Sequence, residues 1–199
     1  VSLELAKYRK ATISGINYTL HLTIPEAKIE PIAAKMSSTF NLSDISQDLQ
    51  LDFVSTEESV SHLQVNGIDQ PVNLVAEHLV IDKAVLITGI NKVDIRFMAG
   101  NTSLNRNPDY LYTIFVPDRA RTAFPIFDQP NLKATYDLTL DLPKGWTSIA
   151  NGPLKALQRS ETRDTFVFEQ SDLISSYLFT FVAGKFEVIK RNVDGVEMT

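Results

Sequence analysis

Apolar and polar positions alternate with a period of two along most of the chain from Gly15 onward. Tyr18, Leu20, Leu22 and Ile24 share one face, and Thr19, His21 and Thr23 share the other, as in a half-buried strand that Pro25 then closes. Further alternating segments fall at 38–42, 63–65, 93–97, 136–142, 166–168 and 177–181. Asn66-Gly67, set between apolar runs, predicts a tight hairpin, and Asn151-Gly152 predicts a second turn. Ahead of the alternation, SLELAKYRKAT spaces Leu3, Ala6 and Tyr8 compatibly with one short helix. Short strands, regular turn signals and no long helical period predict an all-β sandwich of mostly antiparallel strands. No linker divides the chain, so residues 1–199 are expected to form a single domain. One long stretch, Asn101 to Pro130, reads as irregular. Its aromatics (Tyr110, Tyr112, Phe115, Phe124, Phe127) predict that it packs rather than floats.

Composition adds exclusions more than identity. The chain is 44% hydrophobic and 22% charged, which suits a globular fold with a substantial core. Its net charge of −5 argues against a nucleic-acid partner, which would favour a basic surface. The absence of cysteine removes disulfides, thiolate metal sites and thiol nucleophiles. No apolar run reaches the roughly 20 residues of a membrane span. The chain opens Val1-Ser2-Leu3 without an initiator Met or a signal segment, and it stops inside what reads as a strand. A trimmed chain is expected, leaning towards an exported (periplasmic or cell-surface) protein over a cytoplasmic one.

Chemistry-bearing residues are sparse. His21, His62 and His78 form no pair one helical turn apart, so they read as surface or structural histidines rather than metal ligands. Glu57-Glu58 reads as a solvated turn, and neither a nucleophile elbow nor a phosphate-cradling glycine loop occurs. The irregular stretch carries Asp118, Arg119, Arg121 and Asp128. These either line a cleft for a charged ligand or, the favoured reading, Arg121 and Asp128 satisfy backbone groups and each other above packed aromatics. Residue types alone therefore indicate no catalytic or metal centre.

Two long motifs carry a resemblance. LYTIFVPDRARTAFPIFDQPNLKATYDLTLDLP is similar to a segment of the zinc aminopeptidases typified by aminopeptidase N. There the pattern runs approximately T-Q-x-E-P-x-x-A-R-x-x-F-P-C-F-D-E-P-x-x-K-A before a strand. Thr113, Pro117, Ala120, Arg121, Phe124, Pro125, Phe127, Asp128, Pro130, Lys133 and Ala134 match in unbroken register. SDLISSYLFTFVAGKFE resembles a second family segment through Ser176, Tyr177, Leu178, Phe181, Gly184 and Phe186. The resemblance implies a saddle-shaped N-terminal β-sandwich domain standing before a catalytic domain that this chain lacks, and zinc held in that downstream domain. It also implies that residues 113–116 (Thr113, Ile114, Phe115, Val116) border the peptide-substrate cleft. Arg121, Phe124, Pro125, Phe127, Asp128 and Pro130 would be the structural motif beneath.

The family's Gln and Glu, which help bind the substrate's amino terminus, are Ile114 and Val116 here. Neither side chain can accept a hydrogen bond from an ammonium group. The longer protein is then an aminopeptidase relying on a glutamate of its catalytic domain, a relative with altered preference, or an inactive relative. A rival expectation is a free-standing module that binds glycans or protein partners through aromatics such as Trp146 or Tyr110. Trp146 itself reads as a core residue at a strand start.

Overall fold

The computed structural model describes residues 1–198. The helix expected near the start spans Leu3–Thr12, with the Ser2 hydroxyl accepting from the Leu5 N–H at 3.1 Å. Glu4 lies in its first turn and Arg9 and Lys10 in its last, the charge order that the helix dipole favours. The chain then extends directly into the strand Ile13–Thr23.

That strand lies inside an eight-stranded sheet. The spatial order is Leu154–Arg159, Arg163–Phe168, Ala134–Pro143, Ile13–Thr23, Ile32–Leu42, Gly89–Ala99, Val60–Val65 and Ile68–Asp69. Every neighbouring pair is antiparallel except Ile13–Thr23 with Ala134–Pro143, which run parallel. A four-stranded sheet (Thr147–Ala150, Phe181–Gly184, Tyr110–Thr113, Leu104–Arg106) and a three-stranded one (Leu49–Asp52, His78–Ile81, Leu74–Val75) complete the sandwich. A short hairpin of Arg191–Val193 with Val196–Met198 follows.

Alternation explains the core. Tyr18, Leu20, Leu22, Met36, Phe40, Ile95, Phe97, Tyr136, Leu138 and Leu140 project from one face of the large sheet and are at most 3% exposed. Leu51, Leu79, Leu111, Phe181 and Ala183 from the smaller sheets join the same buried cluster. The fold is thus the expected all-β sandwich of mostly antiparallel strands with one short N-terminal helix. The Asn66-Gly67 hairpin also forms, with both residues at positive φ (51° and 84°), as a tight turn of this type requires.

Two expectations are corrected. The stretch 101–130 is not irregular throughout, because it contains Leu104–Arg106, Tyr110–Thr113 and the 3₁₀ turn Ala120–Thr122. Strands of three or four residues are too short to show a period, although a buried backbone must still pair its N–H and C=O groups. Residues 177–181 are not one strand either. Ser176–Leu178 makes a 3₁₀ turn, and the strand begins only at Phe181. Phe179 and Phe181 are both buried with Thr180 exposed between them, and that pair supplied the misleading alternation.

Candidate substrate-cleft site

Residues 113–116 continue the in–out alternation of the strand Tyr110–Thr113 past its last ladder bond. Thr113 turns inward, its Oγ1 lying 3.0 Å from Thr180 Oγ1 and accepting from the Phe181 N–H at 3.1 Å. Phe115 is 1% exposed, edge-on to Phe124 with centroids 5.6 Å apart and stacked with Phe179 at 6.2 Å. The inward Thr113 and Phe115 hold Ile114 and Val116 outward, where they are 46% and 55% exposed. The Ile114 N–H donates to the Ser103 carbonyl, and the Phe115 carbonyl accepts from the Arg119 N–H.

Outward residues of the four-stranded sheet extend this exposed surface. Register sets Tyr112 opposite Val182, and Val182 opposite Ile149. Tyr110 stacks on Tyr112 at 6.4 Å and meets Phe186 at 6.1 Å. The result is an apolar strip in which Tyr110, Tyr112 and Ile149 are exposed and Val182 is half-buried. Trp146, by contrast, is only 4% exposed and offers no surface platform.

Two buried carboxylates fix the corner that follows. Asp128 accepts from Ser176 Oγ at 2.6 Å and from the Arg121 N–H at 3.1 Å. The expected Arg121–Asp128 side-chain pair does not form. The Arg121 guanidinium lies 3.3 Å from Asp118 instead, because Asp128 faces the backbone of the 3₁₀ turn. Burial pushes the Asp128 carboxyl above its ordinary range, against the lowering effect of the two hydrogen bonds. Phe124, Pro125, Ile126 and Phe127 are buried, whereas Pro130 is exposed and its carbonyl accepts from Ser175.

Sequence reading missed the second carboxylate, Asp52. It accepts both forks of Arg9 at 2.7 and 2.9 Å and the Asp128 N–H at 2.9 Å, and His78 Nε2 lies 3.2 Å away. Arg9 and Asp52 are each 1% exposed, and the guanidinium stands 5.5 Å from the Phe127 ring centroid. Asp52 also bridges Ile126 through both backbone groups. The only local signal was an acidic residue inside the apolar run Leu49-Gln50-Leu51-Asp52-Phe53. The three histidines lie apart. His21 pairs with Asp141 at 2.7 Å, His62 lies 4.0 Å from Asp69, and His78 joins Asp52. Among the described residues, no three His, Cys, Asp or Glu side chains converge as a metal site would need, so they do not fit a zinc ion.

Fold and loop together define a β-sandwich module that carries an outward-facing loop. The chain belongs to the peptidase M1 N-terminal domain family, which matches residues 15–178. Over 82 residues it is 43% identical to aminopeptidase N of Streptomyces lividans, covering 40% of this chain and 9% of that protein. Over 78 residues it is 38% identical to glutamyl aminopeptidase of Homo sapiens, covering 38% and 8% respectively. A solved M1 zinc metallopeptidase from Deinococcus radiodurans superposes with a TM-score of 0.70 at 18% identity, covering 87% of this chain and 42% of that one. A two-domain M1 zinc metallopeptidase mutant bound to L-tryptophan superposes at 0.73 with 17% identity, covering 94% and 46%. These structural likenesses establish the fold. The matched segments span about a tenth of the curated relatives and less than half of the solved chains.

Proposed function

We propose that this chain is the first domain of a zinc-dependent aminopeptidase, packing on a downstream catalytic domain and walling part of its peptide-substrate cleft. The observation that supports this most directly is the apolar strip of exposed Tyr110, Tyr112 and Ile149 with half-buried Val182 between them, which runs beside the exposed Ile114 and Val116. An apolar sheet face of this kind is the usual mark of a buried interface. The partner domain would supply zinc and the hydrolytic groups, and this chain would supply shape and backbone. Thr113, Ile114, Phe115 and Val116 would border the cleft, Phe115 acting as the pin that aims its neighbours. Because Ile114 and Val116 cannot accept from an ammonium group, anchoring of the substrate amine would fall to the catalytic domain. No membrane-spanning helix is present among the described residues.

The test is made in the full-length protein. Its gene is expected to encode His-Glu-x-x-His downstream of Thr199, and a stop codon directly after Thr199 would sink the proposal. Tyr112→Asp combined with Val182→Asp is expected to loosen the domain contact, read as faster proteolytic release of this domain and lower turnover of aminoacyl-anilides. Unchanged release and turnover would show that this face is not the interface. The 199-residue chain alone is expected to bind no stoichiometric zinc and to hydrolyse no aminoacyl-anilide.

A further inference from the structure

The outer face of the eight-stranded sheet, on the far side of the core from the apolar strip, is polar and carries an unusual line of basic side chains. Register places His21 opposite Lys35, Lys35 opposite Arg96, and Arg96 opposite His62. The four side chains therefore form one row across four adjacent strands. At about 4.8 Å between strands, the row is roughly 14 Å long. A bulge between Val60 and His62 is what brings His62 into line with Arg96.

Like charges set directly opposite each other destabilise a sheet. Yet this chain has 24 acidic residues against 19 basic ones, so carboxylates are plentiful. Those nearest the row are already engaged. Asp141 is taken by His21 and Thr165, Asp94 by Lys92 at 2.9 Å, and Asp69 by Gln64, with His62 at 4.0 Å. Among the described residues neither Lys35 nor Arg96 forms an ion pair, and both are exposed. A depression of about 430 Å³ lies over them, lined also by Thr19, Ser37, His21, His62 and the Lys92–Asp94 ion pair. Thr19, Ser37 and Asp94 stand opposite one another in the next outward row, which sets two hydroxyls and a carboxylate neutralised by Lys92 beside the cations.

We propose that this depression binds a phosphate dianion between Lys35 and Arg96, either free or as the head of a small phosphomonoester. The guanidinium supplies a bidentate fork and the ammonium a compact charge, the combination that suits tetrahedral oxyanions. Thr19 and Ser37 can donate to the remaining oxygens. The anion would cancel the repulsion that the register otherwise imposes. A volume of 430 Å³ exceeds what a bare oxyanion fills, so the organic part of an ester has room beside it.

Isothermal titration of the protein in low-chloride buffer tests this with inorganic phosphate and, separately, glucose 6-phosphate. At least one is expected to bind with a 1:1 stoichiometry. Lys35→Gln and Arg96→Gln should each weaken that binding tenfold or more, whereas Lys155→Gln, which removes a cation paired with Glu169 outside the depression, should change it less than threefold. Binding of the free ion identifies it as the ligand, and binding of the ester alone identifies a phosphomonoester. Thermal melts give an independent readout. Without phosphate at low ionic strength, Lys35→Gln should melt above the unaltered protein. Phosphate should raise the melting temperature of the unaltered protein and not that of the variant. No binding of either probe, or binding indifferent to both substitutions, would mean a row of solvated cations and overturn the proposal.

Discussion

Replacing Asp52 by alanine removes the acceptor on which three separate elements converge. Arg9 from the helix, His78 from the three-stranded sheet and the Asp128 N–H from the corner all meet its carboxylate, at 2.7–3.2 Å. Without it the Arg9 guanidinium keeps the Gln50 carbonyl and the Phe127 ring but loses its counter-charge at a site only 1% exposed. Breaking a buried pair by deleting one partner costs about 3–5 kcal/mol, chiefly because the surviving charge is desolvated and uncompensated. The orphaned Asp128 N–H is part of the same loss and is not added to it. Against a typical total of about 5–15 kcal/mol, the variant would sit near the edge of stability. For a domain of this size the same loss is a fall in melting temperature of roughly 6–20 °C.

Urea unfolding followed by fluorescence reports this directly, because Trp146 is the single tryptophan and is 4% exposed in the fold. A double-mutant cycle separates pairing from packing. Arg9→Met with Asp52→Leu removes both charges while keeping apolar volume, and is expected to cost less than either single change, since a buried pair replaced by apolar groups is often neutral. If Asp52→Ala costs under about 1 kcal/mol, or if the double variant costs the sum of the singles, the cluster does not hold the helix to the corner as described.

Three further outcomes are expected. Gly184→Ala would set a Cβ 2.5 Å from Tyr110 Cβ and 2.7 Å from the Asp109 carbonyl oxygen, forcing neighbouring strands apart at a cost of about 1–3 kcal/mol; an unchanged melting temperature would contradict that contact. At Asp141 burial raises the carboxyl, but hydrogen bonds from Thr165 and His21 and the nearby charges outweigh it and hold the group below its ordinary range. Its stabilisation is therefore present above the unfolded-state value of about 3.9 and is lost as the pH falls through the lower folded-state value. The gap in unfolding free energy between the protein and Asp141→Asn should shrink between pH 7 and pH 2.5, and a pH-independent gap would refute this. Finally, Val116→Glu in the full-length protein should lower KM for substrates with a free amino terminus relative to acetylated ones. No change in that ratio would place Val116 away from the substrate amine.

The corner is where sequence and structure divide most clearly. Phe124, Phe127 and Asp128 were legible as a specific cluster because they lie within five residues and match a long motif. What Asp128 contacts was not legible. Its partners are a backbone N–H of a 3₁₀ turn and the hydroxyl of Ser176, which lies 48 residues away. Ile114 and Val116 stood out as apolar where the resembled motif has Gln and Glu, yet their exposure depends on Phe115 finding Phe124 and Phe179. Arg9, in a helix with little amphipathic pattern, gave no sign of burial.

By itself the sequence determined the local terms: which segments extend, which alternate residues seek the core, where the Asn66-Gly67 turn falls, and where the helix begins. These follow from a period of two, a capping hydroxyl and a turn dipeptide, all of which act over a few residues. Tertiary structure alone decided which strands became neighbours, including the parallel pairing of Ile13–Thr23 with Ala134–Pro143. That choice also decided which outward residues stand side by side. Alternation assigns a side chain to a face, but only register gives it neighbours. His21, Lys35, Arg96 and His62 are unremarkable along the chain and become a row of basic side chains only across the sheet.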